Sequence, residues 1–390
     1  MSEWKKVKLG EISNAIQTGP FGSQLHQSDY SEEGTPVVMP KDIIAGNIEE
    51  TSIARVEQHH VDRLSRHKIS HGDILYARRG DVGKCAFTKP NQEGWLCGTG
   101  CLRVTINPDM ANPKFVFFQL QKQETIGWVT NHAIGSTMLN LNTSILSDVP
   151  VELPSLHIQN RIVEILSRYD SLIENYQKQI KLLEEAAQRL YKEWFIDLHF
   201  PGHENTNIID GVPEGWEKKK LGDIAFDSSK SISKKQRNEF KYYLPIDCLP
   251  KKQLTYIATN EIELAESSLT AFKKGDVIFG AMRPYFHKVC LAQDSGITRK
   301  TCFVLDSKEP VVKGFLLMLL FDEGTINHAT AISVGTTMPY VRWKDLQNME
   351  IVLPNNLLLD SFNKIVSPLL NECITKASQL RLLTEARDRL

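Results

Sequence analysis

Two polar turns carry the residue types best suited to holding an anionic ligand. The first covers residues 78–84, Arg-Arg-Gly-Asp-Val-Gly-Lys, and the corresponding turn covers residues 282–288, Met-Arg-Pro-Tyr-Phe-His-Lys. The guanidinium fork of arginine matches guanine edges and phosphates, whereas lysine offers phosphate a point charge. A glycine in such a turn allows the backbone to approach a ligand closely. We refer to these two segments as the arginine turns.

Two further segments begin with glycine and continue with hydroxyl side chains. They read Gly-Ser-Thr-Met-Leu over residues 135–139 and Gly-Thr-Thr-Met-Pro over residues 335–339, and we refer to them as the threonine loops. Their hydroxyl and amide groups are suitable donors to phosphate oxygens. Lysines also cluster near residues 218–220, 230–237 and 251–252.

These segments supply the candidate contacts to a nucleic acid. The predicted residues are Arg78, Arg79, Lys84, Ser136, Thr137, Lys234, Lys235, Arg283, Tyr285, His287, Lys288, Thr336 and Thr337. Two plainer interpretations stay open at this point. The turns can be repeated hairpins whose glycines and threonines serve only the chain reversal, and the lysine cluster can be a solvated charged face.

Motifs of catalysis are missing from the sequence. There is no Gly-x-x-x-x-Gly-Lys-Ser/Thr loop, no Gly-x-Gly-x-x-Gly after a strand, and no Asn/Asp-Pro-Pro-Tyr/Phe tetrapeptide. A P-loop ATPase and a self-sufficient amino-methyltransferase are therefore excluded. Carboxylates are evenly spread, and His59-His60 is typical of a solvated loop. Three cysteines and two histidines could form part of a zinc site, but burial of the cysteines in strands is the simpler interpretation. These residues are Cys85, Cys97, Cys101, His67 and His71.

Length and composition describe a globular protein of two to four domains. The chain has 390 residues, of which 41% are hydrophobic and 24% charged. It has no apolar run of about 18 residues and no signal-peptide h-region. Seven scattered cysteines fit a reducing cytoplasm. The formal net charge of -1 counts against autonomous nucleic-acid binding, but it permits a protein that reads DNA inside a larger complex.

The chain is a tandem duplication. At an offset of 200 the two threonine loops align, and leucine, glutamate, alanine and arginine residues near position 185 recur near position 385. Earlier in each half the offset drifts by a few residues, as loop insertions would cause. Residues 18–23, Thr-Gly-Pro-Phe-Gly-Ser, have no matching segment in the second half. A difference between the two modules is therefore expected at such segments.

Each copy divides into a mixed section and a helical section. Short β-like runs are predicted at residues 35–39, 74–77, 101–106 and 149–153, and at residues 242–246, 276–280, 302–305 and 349–353. Helical patterns lie between them at residues 113–123 and 311–321. This mixture predicts an α+β fold with a largely antiparallel sheet.

The helical sections show apolar residues in steps of three and four. The first runs from about residue 157 to residue 195, nearly 60 Å at 1.5 Å per residue. The second resembles it from Phe362 to Leu390, with Pro368 expected to kink or restart the helix. An ordinary long core helix is the simpler alternative. Two such helices in a duplicated chain favour an antiparallel pair that holds two domains apart.

The sequence resembles the specificity (S) subunit of type I restriction-modification systems. The resemblance lies in Asn-Arg-Ile-Val-Glu-Ile-Leu at 160–166, Leu-Tyr-Lys-Glu-Trp-Phe-Ile-Asp at 190–197, Val-Pro-Glu-Gly-Trp at 212–216, the Gly-Asp-Ile/Val strands and residues 19–25. The duplicated order of domain, helix, domain, helix is more specific than any of these motifs. The resemblance implies five segments: a first target-recognition domain at 1–155, a spacer helix at 156–199, a linker at 200–215, a second recognition domain at 216–354 and a second spacer helix at 355–390.

The resemblance implies a non-catalytic subunit. Each recognition domain would read one half of a bipartite DNA site, while the helices set the gap. Methyltransferase (M) subunits would dock on the helices and bring S-adenosylmethionine, and restriction (R) subunits would bring ATP and magnesium. No cofactor is expected in this chain. The predicted partner-binding helix residues are Tyr169, Leu172, Tyr176, Ile180, Leu183, Leu190, Leu380 and Leu383. The rival interpretations are a protein-binding adaptor and a metal-dependent nuclease.

Overall fold

The computed structural model describes residues 4–135, 139–266 and 268–389. The chain divides into two compact units, Met1–Arg168 and Tyr169–Leu390. Across those described ranges no helix has both the length and the apolar character needed to cross a membrane.

In its described residues, the first unit contains short strands, four α-helices that lie wholly within it, and the beginning of a fifth. Its strands are β1 (Lys5–Lys8), β2 (Ser13–Thr18), β3 (Tyr30–Ser31), β4 (Thr35–Val38), β5 (Ile43–Ile44), β6 (Asn47–Ile48), β7 (Ala54–Val56), β8 (Ile74–Ala77), β9 (Cys85–Phe87), β10 (Leu96–Cys97), β11 (Cys101–Ile106) and β12 (Pro150–Leu153). Its helices are α1 (Gln58–Arg63), α2 (Pro113–Leu120), α3 (Gln123–His132) and α4 (Thr143–Ser147). The helix α5 (Leu156–Tyr191) begins in this unit and continues into the next.

The central sheet of the first unit is antiparallel, in the order β2-β11-β8-β9. All four residues of β8 are buried, because this apolar strand lies between two neighbours and contributes to a core on each face: Ile74 and Tyr76 to the core that includes α2, and Leu75 and Ala77 to a second one. A second sheet has the order β10-β4-β7-β3, with β10 and β4 parallel, and β1 pairs with β12. Helix α2 begins where the Asn112 side chain accepts hydrogen bonds from two backbone N–H groups and Pro113 takes the first helical position.

The second unit repeats this plan. Its strands are β13 (Ile208–Ile209), β14 (Val212–Pro213), β15 (Glu217–Lys220), β16 (Ala225–Asp227), β17 (Lys230–Ile232), β18 (Leu269–Phe272), β19 (Val277–Gly280), β20 (Val289–Leu291), β21 (Gly296–Arg299), β22 (Cys302–Ser307) and β23 (Glu350–Leu353). Its helices are α6 (Leu221–Ile224), α7 (Lys313–Phe321), α8 (Glu323–Ala331), α9 (Trp343–Leu346) and α10 (Asn356–Asp388).

The duplicated α+β fold is confirmed by strand order. The sheet β16-β22-β19-β20 matches β2-β11-β8-β9, and the pair β15-β23 matches β1-β12.

The strand predicted at residues 242–246 is wrong. That stretch contains Pro245 and forms isolated bridges at Tyr243 rather than a ladder, since proline cannot donate to a ladder. The stretch predicted as a linker, residues 200–215, contains the β13–β14 hairpin, and Phe200 is buried against Trp216 with ring centroids 5.1 Å apart.

Helix α10 continues through Pro368, so the helix does not restart there, while the predicted kink stays a prediction. Proline leaves the carbonyl of Lys364 without its helical partner, but Pro368 lies on the exposed face, where water can donate to that carbonyl. At the other long helix, α5 passes directly into a π-helical turn over Lys192–Ile196.

Within the second unit α5 and α10 pack antiparallel. Asp170 pairs with Arg387 at 3.3 Å, the Lys376 ammonium lies 5.1 Å from the Tyr176 ring centroid, and the Trp194 and Phe362 rings are 5.9 Å apart. Residue numbers rise along α5 as they fall along α10, which defines the antiparallel direction. The buried contact of this pair is formed by Ile173, Ile180, Ala377 and Leu380.

An aromatic cluster joins the end of α5 to the core of the second unit. The Phe195 ring lies 4.9 Å from Phe362 on α10 and 5.1 Å from Phe315 on α7, both close to perpendicular. Edge-to-face packing of this kind adds about 1 kcal/mol per pair to the burial of the rings. The second mixed domain and the helix pair therefore share one hydrophobic core.

One carboxylate, Glu184, is buried inside this unit on α5. Its Oε1 accepts hydrogen bonds from the backbone N–H groups of Leu254 and Thr255 and from the Thr255 hydroxyl. Burial raises the pKa of Glu184 to about 7, an increase that the three hydrogen bonds only partly offset. The facing thiols of Cys290 and Cys373 also have pKa values raised by burial, so both stay neutral near pH 7.

This carboxylate predicts a pH-dependent stability. Because its folded-state pKa lies above the ordinary value of 4.5, the folded state binds the proton more tightly, and stability falls as pH rises from about 5 to 8. Relative to Glu184→Gln, which cannot ionise, the wild type should lose about 3 kcal/mol of unfolding free energy across that window. Denaturant titrations of both proteins at pH 5 and pH 8 measure this difference. An equal pH dependence in the two proteins would contradict the assignment.

Candidate nucleic-acid interface

The structure brings each arginine turn beside the threonine loop of the same unit. In the first unit the Gly80 N–H donates to the Leu139 carbonyl at 3.2 Å, and the Leu141 N–H donates to the Arg78 carbonyl at 2.8 Å. Ser136 and Thr137, the predicted contacts of this loop, lie outside the described residues. Two segments about 60 residues apart in sequence thus form one surface.

The second unit has the same arrangement. The Arg283 N–H donates to the Pro339 carbonyl at 2.7 Å, and the Val341 N–H donates to the Ala281 carbonyl at 3.0 Å. A pair of bonds between Val334 and Tyr340 closes the threonine loop, whose Thr336 and Thr337 side chains are exposed. We call the combination of arginine turn and threonine loop the paired-loop surface of each unit.

The hydrogen bonds change the alignment of the two arginine turns by one residue. Sequence alignment places Arg283 opposite Arg79, whereas the backbone contacts place it opposite Gly80. Both residues have positive φ, 77° at Gly80 and 51° at Arg283. A left-handed conformation costs a non-glycine residue about 1 kcal/mol or more, so it needs support from its surroundings. The left-handed backbone at Arg283 therefore restricts the direction in which its side chain leaves the turn.

Arginine side chains on both surfaces are not neutralised by carboxylates. Arg283 donates from Nη2 to the Thr337 carbonyl at 3.4 Å, and within the described ranges neither Arg78 nor Arg283 has an ion pair. The Nε atoms of both are buried without a hydrogen-bond partner among those residues. Because the Nε atoms are buried, an external acceptor would be reached from the Nη groups of these half-buried side chains.

The remaining predicted contacts of the turns differ in accessibility. Arg79 and Lys84 are exposed, and the Lys84 ammonium lies 3.1 Å from Asp81. Tyr285 is 50% exposed. The Lys288 ammonium is held inside the domain, where it donates to the Ile246 carbonyl at 2.7 Å.

His287 does not lie on the surface, so we correct its predicted role. Its ring is buried, and Nε2–H donates to the Phe321 carbonyl at 2.8 Å, which requires the proton on that nitrogen. Burial lowers the pKa of His287, favouring the neutral ring. Like Arg283 it has a positive φ, 51°. It supports the arginine turn from inside instead of contacting a ligand.

Lys234 and Lys235 belong to another part of the second unit. They lie on a 3-10 helical turn, Lys234–Glu239, where both are exposed and Lys234 is 3.7 Å from Glu266. Arg237 fixes this turn by donating to the carbonyls of Glu263 and Ala265. Lys234 and Lys235 thus belong to this turn and not to the paired-loop surface.

Sequence reasoning missed Phe21, which lies in the segment without a counterpart. Its side chain is 56% exposed, and the Arg78 guanidinium lies 5.8 Å from its ring centroid. Gly19 anchors this segment: a Cβ there would lie 2.0 Å from the Gly98 carbonyl oxygen, so only glycine is accommodated. The unmatched glycines indicated the segment, but no pattern singled out the phenylalanine.

The cysteines of the first unit are buried strand residues. Burial raises the pKa of Cys85 and of Cys97 to about 12, which disfavours the thiolate form that binds metals. His67 and His71 instead contact the carbonyls of Thr18 and Thr88. In the described part of the chain no group of three His, Cys, Asp or Glu side chains is arranged to hold a metal ion.

The helix residues predicted to bind partners fall into two groups. Ile180 and Leu380 are buried in the helix pair, and a further set is partly buried: Tyr169, Tyr176, Leu183, Leu190 and Leu383. Leu172 is 44% exposed, and the neighbouring Ile173 occupies the buried position in the helix pair that was expected for Leu172. Two leucines at equivalent repeat positions, Leu182 and Leu382, are 64% and 63% exposed.

Comparisons with known proteins agree with this architecture. The sequence profile of the type I restriction modification DNA specificity domain matches residues 1–185 and 213–357. The chain therefore belongs to the family of specificity subunits of type I restriction-modification systems.

Individual relatives extend over the whole chain. It is 26% identical over 408 residues to the type I restriction enzyme MjaIX specificity subunit of Methanocaldococcus jannaschii, covering 100% of this chain and 91% of the relative. The putative MjaX specificity subunit of the same organism is 24% identical, covering 90% of this chain and 83% of the relative. The crystal structure of the S subunit from M. genitalium matches with a TM-score of 0.62 at 17% identity, covering 99% of this chain and 94% of that one, which supports the fold.

Proposed function

We propose that this chain is the non-catalytic subunit that gives a type I restriction-modification complex its DNA specificity, with each recognition domain reading one half of a bipartite duplex site. The observation that carries the proposal is that the same backbone hydrogen bonds join an arginine turn to a threonine loop in both units, each turn carrying an arginine with no carboxylate partner among the described residues. Arginine is the side chain most suited to read guanine in the major groove. Hydroxyl and backbone groups of the threonine loops position phosphates.

The charge of the chain requires partners for tight DNA binding. A net charge of -1 provides little of the counterion release that drives DNA affinity. In the proposed complex the M subunits contribute most of the affinity and methylate adenine with S-adenosylmethionine. The R subunits use ATP and magnesium for translocation and cleavage. The complex acts on DNA in the cytoplasm.

The duplicated helices offer two equivalent docking positions to M subunits. Leu182 and Leu382 occupy equivalent positions in the repeat and are exposed to nearly the same extent. A single exposed leucine is ordinary on a protein surface, so the support for these positions is that the same exposed leucine recurs at the equivalent position of both helices. One M subunit on each helix would place one methyltransferase per half-site.

Substitution of Arg283 tests the DNA-reading role. In the complex with the cognate M subunit, Arg283→Ala should relax the base preference of the second half-site by about 10- to 100-fold, since a bidentate arginine–guanine contact contributes about 1–3 kcal/mol. Selection from a randomised duplex pool measures the preference at every position. Arg299→Ala, an exposed arginine on β21, is the matched control and should keep the motif. Equal weakening on all sequences would reduce Arg283 to a phosphate contact.

Substitution of the exposed leucines tests the docking positions. Leu182→Glu or Leu382→Glu should each reduce the number of bound M subunits from two to one, and the double variant should bind none, because a charge replaces the apolar contact. Native mass spectrometry of the purified complex gives the stoichiometry. Leu357→Glu is the control, since Leu357 is 83% exposed and histidine occupies the equivalent position of the first repeat. Unchanged stoichiometry in the double variant would contradict these positions.

A further inference from the structure

Glu184 connects the spacer helix to a segment of the second recognition domain. Its Oε1 lies 3.1 Å from the Leu254 nitrogen, 3.0 Å from the Thr255 nitrogen and 2.9 Å from the Thr255 hydroxyl oxygen. Glu184 is 4% exposed, Leu254 is fully buried and Thr255 is 5% exposed. Without this carboxylate two buried backbone N–H groups would lose their partner, which is strongly unfavourable.

The same segment leads directly to the arginine turn. Two residues before Leu254, the Lys252 N–H donates to the His287 carbonyl at 2.8 Å. The ammonium of Lys251 lies 4.4 Å from the Phe286 ring centroid. A continuous path of hydrogen bonds and one short stretch of backbone therefore runs from helix α5 to the turn that contains Arg283.

The other spacer helix provides a second polar attachment. Arg381 on α10 donates to Asp294 at 3.0 Å and to the Tyr242 hydroxyl at 3.2 Å, and its guanidinium lies 4.5 Å from the Tyr242 ring centroid. The Arg381 side chain is 13% exposed and that of Asp294 is 22% exposed. Each helix thus makes a largely buried, directional contact with the second recognition domain.

These attachments are not part of the duplicated pattern. The repeat positions equivalent to Glu184 and Arg381 are Thr384 and Lys181. The Thr384 hydroxyl donates to the Leu380 carbonyl of its own helix, and Lys181 is exposed beside Glu185. Polar contacts at these two positions are therefore not repeated at the equivalent positions of the other half, so the pattern shared by the two helices does not explain them.

We propose that Glu184 is a positioning residue, which holds the second arginine turn in a fixed register on the spacer helix and thereby sets the gap between the two half-sites. This inference rests on the proposed function. The apolar core holds the domain against the helices, but apolar contacts are not directional, whereas three hydrogen bonds on one carboxylate oxygen fix both distance and orientation. A small shift of the segment 251–256 would move the arginine turn along the DNA.

The gap preference of the complete complex with its M subunit is the direct test. Duplexes with the native gap, and with one base pair added or removed, are methylated side by side. For the wild type we expect strong preference for the native gap. Glu184→Leu should lower the ratio of native-gap to altered-gap methylation by about tenfold, the effect of losing hydrogen bonds to one buried acceptor. Glu184→Gln keeps an Oε1 acceptor and should keep the ratio.

Matched variants separate positioning from a general loss of stability. A destabilised subunit methylates all three duplexes less and leaves their ratio unchanged, so the ratio reports position. Glu185→Leu, at the exposed neighbouring glutamate, should preserve the ratio. If Glu184→Leu does not fold, Thr255→Val removes one donor and should lower the ratio about threefold, while Thr375→Val on the exposed face of α10 should not.

The outcomes distinguish the two proposals. If Glu184→Leu folds and keeps the wild-type ratio of native-gap to altered-gap methylation, the positioning role is overturned and the proposed function stays intact. If Glu184→Leu does not fold, a wild-type ratio in Thr255→Val has the same meaning. A wild-type complex that methylates DNA without any gap preference overturns the proposed function itself.

Discussion

The antiparallel contact between α5 and α10 is the constraint on which the second half of the structure depends. Its apolar seam is narrow, and it continues into the aromatic cluster around Phe195, which also contains α7 of the mixed domain. Neither helix alone could bury this surface, since an isolated amphipathic helix has little stability in water. The recognition domain and the spacer helices therefore share one compact unit and one hydrophobic core in this half.

A second constraint operates within each domain, where backbone hydrogen bonds join the arginine turn to the threonine loop. Such bonds require no particular side chains, so the same scaffold can carry different residues at the surface. The first unit has glycine at its left-handed position and an exposed phenylalanine nearby, whereas the second has arginine at that position and an exposed tyrosine. The scaffold is therefore shared by the two units, while the side chains that it presents differ.

Sequence reasoning recovered the features that arise from patterns. Duplication, apolar strands and the three-to-four periodicity of the helices identified the α+β plan and the helix pair, because each reflects burial that repeats along the chain. It failed where one tertiary contact decides the outcome. Glu184 lies four residues after Ile180 and three before Ala187, so its position falls on the buried face, but its charge is typical of an exposed residue. Only its partners in a distant segment explain how a carboxylate is accommodated there.

The same limitation explains the errors at His287, Pro368 and residues 242–246. A histidine in a polar turn has the pattern of a ligand contact, and the carbonyl of Phe321 that buries it is 34 residues away. Pro368 is tolerated in α10 because it lies on the exposed face of the helix. Periodicity alone did not decide whether the helix would continue through this proline. The backbone hydrogen bonds align the arginine turns with the same offset of 203 residues as the Gly-Asp strands that precede them, an offset that the insertion-free sequence between strand and turn already indicated.

The proposed role of this chain is to determine which DNA sequence is modified. Methylated adenine can be mapped across the genome of cells that express the cognate M subunit with and without this chain. We expect a bipartite motif with a fixed gap that is methylated only when the chain is present. A stable complex with the M subunit that methylates no such motif, or the same motif in both cell lines, would contradict it.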